Sequence, residues 1–278
     1  MDYVKPADVA TAMLNAGLAK LDLKVPDLLI RGALSGAILG VATTLAFTGA
    51  VTTGQPIVGA IIFPVGLVSI VLLGLELVTG SFALVPLPWL EGRASLTQVL
   101  ANWGWVMLGN LLGAVAYAAL IALVYTNMWT SEATGVAARV VATADAKTLG
   151  YAALGFAGFA TCFVKAMLCN WMVCLAVVLA MSTTSTIGKI AAAWLPIFIF
   201  FAQGFEHLVV NFFVIPAGMM MGAKTSLFGW FFWNFVPVAL GNIVGGFLFT
   251  GLAIYWTYRP AMASATSSAT SPQTVAAE

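Results

Sequence analysis

Two stretches decide how this chain folds. The first is Gly74-Leu75-Glu76-Leu77-Val78-Thr79-Gly80-Ser81-Phe82, with Pro86 behind it. The second is Gly204-Phe205-Glu206-His207-Leu208-Val209-Val210-Asn211-Phe212, with Pro216 behind it. Both read Gly-x-Glu, five residues, Phe, three residues, Pro, and they lie 130 residues apart. Each interrupts an apolar run, 57–90 or 187–222, that is longer than one bilayer crossing needs, and each run carries a further proline upstream, Pro64 or Pro196. A helix that meets glycine, an acid and proline in the middle of such a run is expected to break there.

Outward from the breaks, the chain repeats itself. Asn102, Leu108-Gly109-Asn110 and Gly113 recur as Asn234, Leu240-Gly241-Asn242 and Gly245 at an offset of 132. Arg31, Leu34 and Ala42 face Lys165, Leu168 and Ala176 at an offset of 134. Matches at nearly one offset indicate an internal duplication. Apolar runs at 28–52, 57–90 and 98–127 make up one copy, and those at 150–181, 187–222 and 228–257 the other. Three crossings per copy force the copies to traverse the bilayer in opposite senses. The expected fold is therefore an all-α integral membrane protein with six transmembrane helices in two inverted three-helix repeats, helices 2 and 5 broken. Such breaks meet at midplane, where freed N–H groups at half-helix starts attract anions, so residues 75–80 and 207–211 form the expected site. Asn110, Asn242 and the glycines around them read as close helix packing.

Composition agrees. The chain has 278 residues, 62% hydrophobic and 8% charged, and a soluble domain would need several times that charge to cover its surface. Its mean hydropathy is +1.02. The net charge of +1 is spread without a dense basic run, which excludes nucleic acid as a partner. Cys162, Cys169 and Cys174 fall in one apolar run and read as packing residues. With a single histidine there is no metal set and no base–nucleophile constellation, so neither a cofactor nor an enzyme is expected.

Residues 1–27 read as a cytoplasmic amphipathic N-terminal helix at the membrane surface, with Val9, Met13, Leu14, Leu18 and Leu21 at helical spacing. Residues 28–259 form the six-span domain, and 260–278, rich in Ala, Ser and Thr, a disordered cytoplasmic tail. A cytoplasmic N-terminus places Lys5, Lys20, Lys24, Arg31, Arg93, Lys189 and Arg259 inside, against Arg139, Lys147 and Lys224 outside. Both termini are therefore expected on the cytoplasmic side.

An ionisable group within a span marks a site, and His207 is the candidate to donate a proton or hydrogen bond to an anion crossing dry surroundings. Thr79 has a hydroxyl that can donate to the anion or to His207, or simply cap the half-helix. Glu76 and Glu206 are expected to structure their loops by accepting backbone N–H bonds. Lys165 and its repeat mate Arg31 could set one positive charge at each mouth, or snorkel to headgroups.

The segments 74–80, Lys165-Ala166-Met167-Leu168-Cys169-Asn170-Trp171-Met172-Val173-Cys174-Leu175-Ala176 and 204–211 resemble the signature segments of the formate/nitrite transporter family, with Val78 where Phe or Ile is usual. The resemblance implies a homopentamer of aquaporin-like protomers in the inner membrane, surrounded by lipid. It implies passage of a small monovalent anion, foremost formate, with nitrite, hydrosulfide, acetate or lactate as alternatives, and with a proton as co-substrate. By motif position, Asn170 and Asn211 would line the pore, and Phe63, Leu67, Leu77 and Phe200 would form hydrophobic constrictions. A neutral-solute aquaporin-like channel is a remote alternative, because it would show Asn-Pro-Ala at both breaks and this chain has none.

Overall fold

The computed structural model describes residues 2–259, so the tail expected at 260–278 lies outside the described residues. Every element among the described residues is helical, apart from one isolated bridge between Tyr3 and Thr183. In chain order they are α1 (Pro6–Leu21), α2 (Val25–Thr53), α3 (Pro56–Leu72), α4 (Val78–Leu90), α5 (Leu96–Tyr125) and α6 (Val136–Ala146). There follow α7 (Leu149–Ala152), α8 (Gly155–Met181), α9 (Thr186–Ala202), α10 (Leu208–Met220) and α11 (Leu227–Arg259). Four of these, α2, α5, α8 and α11, are long and apolar enough to cross a membrane.

Local chemistry sets the boundaries. Ser95 opens α5 with a capping box: its hydroxyl accepts the Gln98 N–H at 3.2 Å, while the Gln98 side chain accepts the Ser95 N–H at 2.8 Å. α3 and α9 both stop at a glycine in the left-handed region, Gly74 with φ +61° and Gly204 with φ +63°, where any other residue would be strained. Chain continues for a few non-helical residues and then re-enters helix at Val78 and Leu208.

The long helices pack as two tight pairs, α2 on α5 and α8 on α11. Small residues allow the approach. A methyl at Gly113 would overlap the Ala33 carbonyl, and one at Gly245 the Met167 carbonyl. That closeness puts two asparagines in reach of the breaks. Asn110 accepts the Val78 N–H at 2.9 Å and donates to the Gly32 and Glu76 carbonyls, each at 2.9 Å. Asn242 accepts the Leu208 N–H at 3.0 Å and donates to the Ala166 carbonyl at 2.8 Å and the Glu206 carbonyl at 3.0 Å. The packing role expected for this pair is therefore incomplete: each amide ties an interrupted backbone to two flanking helices.

Two elements differ from expectation. The segment between the third and fourth apolar runs folds into α6 and α7, because Ala137, Val140 and Ala144 bury one face. α1 turns its apolar face onto protein instead of leaving it for lipid: Val9, Met13 and Leu14 pack with Leu84, Leu87, Val178 and Tyr255. α1 and α6 are held alike. Asn102 donates to the Lys20 carbonyl and Asn234 to the Lys147 carbonyl, both at 3.0 Å.

Replacing Asn110 or Asn242 by Ala strands one buried N–H and two carbonyls. Each change should cost about 2–3 kcal/mol, read as a lowered Tm in detergent, whereas Thr52→Ala on an exposed turn should leave Tm unchanged.

Candidate functional site

Three cavities follow one another through the protein. A vestibule of about 340 Å³ on the side of α1, termed inner after the orientation expected from the sequence (the opposite one being outer), is lined by Lys20, Arg31, Leu67, Glu76 and Leu77 among others. Next is a chamber of about 10 Å³, walled by Leu39, Phe63, Leu67, Leu77, Val173, Ile197, Phe200 and His207. That is room for about one water-sized molecule. Beyond it, an outer vestibule of about 470 Å³ is lined by Phe47, Gln55, Arg139, Phe201 and Gly204 among others. All four expected constriction residues wall the chamber. Leu67 and Leu77 also face the inner vestibule. On the other side Phe63 stacks on Phe201, with ring centroids 4.0 Å apart, and so shares a layer with the outer vestibule's wall.

Among the described residues, the only polar side chain on the chamber wall is His207. It caps α10: its Nδ1 accepts the Val210 N–H at 3.2 Å. An imidazole that accepts at Nδ1 carries its neutral-state proton on Nε2. That nitrogen lies 3.2 Å from the Thr79 hydroxyl oxygen, so Nε2–H donates to Thr79. The Thr79 hydroxyl proton then has no acceptor among the described residues. Thr79 caps no helix, since Leu77 holds the cap position of its segment. The pair forms a donor relay of which only His207 lines the small apolar chamber; Thr79 is fully buried behind it and lines none of the three cavities. Such a donor suits an anion or the oxygen of its neutral acid.

Behind Thr79, the Asn170 amide donates to the Thr79 carbonyl at 3.0 Å and the Asn242 carbonyl at 2.7 Å, and the Cys174 thiol donates to the Thr79 carbonyl at 3.2 Å. Asn170 therefore fixes the Thr79 backbone, and its Oδ1 has no donor among the described residues. Asn211 lies outside the three cavities. Its amide donates to Glu206 at 2.8 Å and to Asn234 at 3.0 Å.

The acids accept from side chains, not from the backbone as expected. Both oxygens of Glu76 accept from Lys20, at 2.9 and 2.8 Å. Glu206 accepts from Lys147 at 2.7 Å, from the Tyr151 hydroxyl at 2.8 Å and from Asn211. Its side chain is 3% exposed and that of Lys147 17%. A carboxylate so deep in apolar surroundings persists because its charge is neutralised and its lone pairs are filled. Lys165 lines none of the three cavities; its ammonium lies 6.0 Å from the Tyr151 ring centroid, while its carbonyl accepts the Glu206 N–H at 3.5 Å. Arg31 does line the inner vestibule. Lys147, Tyr151, Asn234 and Arg139 are not among the site residues expected from the sequence, where Asn234 figures only in the repeat and Lys147 and Arg139 only in the charge distribution. The one signal was that Lys20 and Lys147 each precede a repeat, and without a fold nothing pointed them at a carboxylate.

Apolar helices with a line of cavities narrowing onto one polar relay define a membrane transport protein. The comparisons fix the family: the model described as formate/nitrite transporter matches residues 7–256. The chain belongs to the formate/nitrite transporter family; it is a multi-pass membrane protein and not an enzyme. A probable formate transporter from Methanothermobacter thermautotrophicus is 39% identical over 276 residues, covering 92% of this chain and 97% of that protein. A solved FNT family ion channel superposes with a TM-score of 0.75 at 28% identity, covering 91% of this chain and 98% of the other. A second solved structure, a pentameric formate channel with formate bound, has the same fold with a TM-score of 0.66 at 24% identity, over 84% of this chain and 98% of that one.

Lys147→Met leaves Glu206 without its cation and should destabilise the protein by about 3 kcal/mol, the partial exposure of Lys147 holding the cost near the low end. Adding Glu206→Gln should recover part of the lost Tm; an additive loss would contradict the pairing.

Proposed function

We propose that this chain passes formate across the inner membrane as a homopentamer of independent pores, with a proton travelling with the anion. Each protomer crosses six times, α3 with α4 and α9 with α10 each forming one broken crossing, so that the two halves run in opposite senses. Residues 28–259 form this channel domain, with both termini on the cytoplasmic side by the distribution of Lys and Arg in the short loops. Support for opposite-sense halves comes from the repeated bonds of Asn110 and Asn242, of Asn102 and Asn234, and of the two Lys–Glu pairs. Apolar side chains exposed along the long helices, among them Leu34, Val41, Leu45, Leu112, Leu120 and Val124, supply faces for lipid and for neighbouring protomers.

The observation that carries the assignment is the chamber: seven apolar walls and one histidine. An unpaired anion pays a large desolvation penalty there, whereas a neutral acid pays little. Charge held in either vestibule cannot remove that penalty, but a proton can. In the proposed passage the anion sheds water at Leu67 and Leu77, or at Phe63 and Phe200, meets the donors of Thr79 and His207, and crosses as the neutral acid. Its proton comes from water on the entry side, while the neutral imidazole keeps its own and contributes Nε2–H as a hydrogen bond, since giving it up would leave an imidazolate charge in the same chamber. Asn170 holds Thr79 in register, while Glu76, Glu206 and Asn211 keep the breaks rigid. Formate is favoured by the names that the relatives carry; nitrite, of similar size and also a weak-acid anion, is the alternative.

Uptake by proteoliposomes of formate, nitrite and chloride, across a series of external pH values, tests the proposal. Formate uptake should rise as external pH falls and outpace chloride, and His207→Ala should lower it at least about tenfold, the loss of one buried hydrogen bond to the passing anion. Uptake indifferent to pH and to His207→Ala would overturn proton linkage, and equal chloride flux would overturn selection for weak acids.

A further inference from the structure

Arg139 has no role in the passage just proposed, yet it is exposed and lines the outer vestibule. Among the residues lining the outer vestibule it is the sole ionisable one, and Gln55 is the sole other polar side chain. Its guanidinium lies 6.0 Å from the centroid of the Phe47 ring. It pairs with no carboxylate among the described residues, in contrast to Lys147, whose charge is taken up by Glu206. The helix that carries it is fixed: Ala137, Val140 and Ala144 are buried, and Asp145 accepts the Lys224 N–H at 2.8 Å and the Thr225 N–H at 3.1 Å. The aromatic face steadies the guanidinium without neutralising it, so its N–H groups stay available. Phe201 on the vestibule wall stacks on Phe63, and Phe63 walls the His207 chamber. A charge held by Arg139 is thus one aromatic layer from the constriction.

We infer that the outer vestibule is a capture site for small planar carboxylates, in which Arg139 binds the anion and Gln55 assists before the anion meets Phe63 and Phe200. A guanidinium presents parallel N–H donors that match two carboxylate oxygens, which a spherical halide cannot use together. The fork therefore adds shape to the charge-based attraction of the vestibule. Discrimination between formate and chloride begins outside the chamber, ahead of any proton transfer. This inference rests on the proposed function, because it assigns an outer step to the same passage.

The test is formate transport in vesicles holding the protein in one orientation, measured in both directions against concentration. Arg139→Gln should raise KM from the outer face about five- to tenfold at low salt, as expected for removing one focusing charge from a vestibule. The maximal rate should stay within about twofold, and KM from the inner face, where Arg31 is intact, should not change. Arg139→Lys should restore the salt-dependent part of capture but not the preference for formate over chloride at low concentration. Misfolded protein would lower both directions equally, so the sidedness separates a capture defect from loss of fold. An unchanged outer KM in a conducting Arg139→Gln protein, or full recovery of the formate preference by Lys, would overturn the inference. A wild-type protein that conducts no small anion would instead overturn the proposed function on which it rests.

Discussion

A chain that breaks a helix inside an apolar core must still satisfy the backbone groups it frees, and here two asparagine side chains meet that demand. Asn110 and Asn242 each fill a break N–H and two carbonyls, one of them on the opposing long helix. A buried unsatisfied amide costs on the order of 1–3 kcal/mol, so neither break would hold its geometry without its clamp. The clamps in turn need the helix pairs α2–α5 and α8–α11 in near contact, which is why Gly113 and Gly245 leave no room for a methyl. Backbone satisfaction, small-residue packing and the position of the site are thus one constraint seen at three scales.

The two copies of the sequence repeat differ at the chamber. Position 77 is leucine, and its counterpart 130 residues on is His207; Thr79 corresponds to Val209, and Ser81 to Asn211. Leu77 and His207 both line the central chamber, one with an apolar side chain and the other with an imidazole. Asn211 reaches Glu206, while the Ser81 hydroxyl has no partner among the described residues. A symmetric pair of histidines would have put two charges or two donors at one point; a symmetric pair of leucines would have left a plug.

The repeat explains what could be read from the sequence. The Gly-x-Glu…Phe…Pro pattern lies where helix is interrupted, between Leu72 and Val78 and between Ala202 and Leu208, and the singular His207, costly in a bilayer unless used, is the polar residue on the chamber wall. Four constriction residues followed from family motifs and do line the chamber. Less legible were contacts made across helices. Glu76 and Glu206 looked like acceptors for nearby backbone because their partners, Lys20 and Lys147, lie more than fifty residues away. Lys165 sits in the span and drew attention for that, yet the cation that reaches the outer vestibule is Arg139, on a helix whose short amphipathic pattern was hidden in a loop.

The central claim is that an anion meets a neutral His207 with its proton on Nε2, shared with Thr79. Since the chain contains one histidine, ¹⁵N-histidine labelling gives a single imidazole to observe. Solid-state NMR of that sample in lipid with ¹³C-formate reads the tautomer and the formate-to-ring distance together. The account predicts Nε2–H in the neutral ring and dipolar coupling between formate carbon and Nε2 at hydrogen-bonding range. A ring protonated at Nδ1 alone, or formate with no coupling to the imidazole, would contradict it.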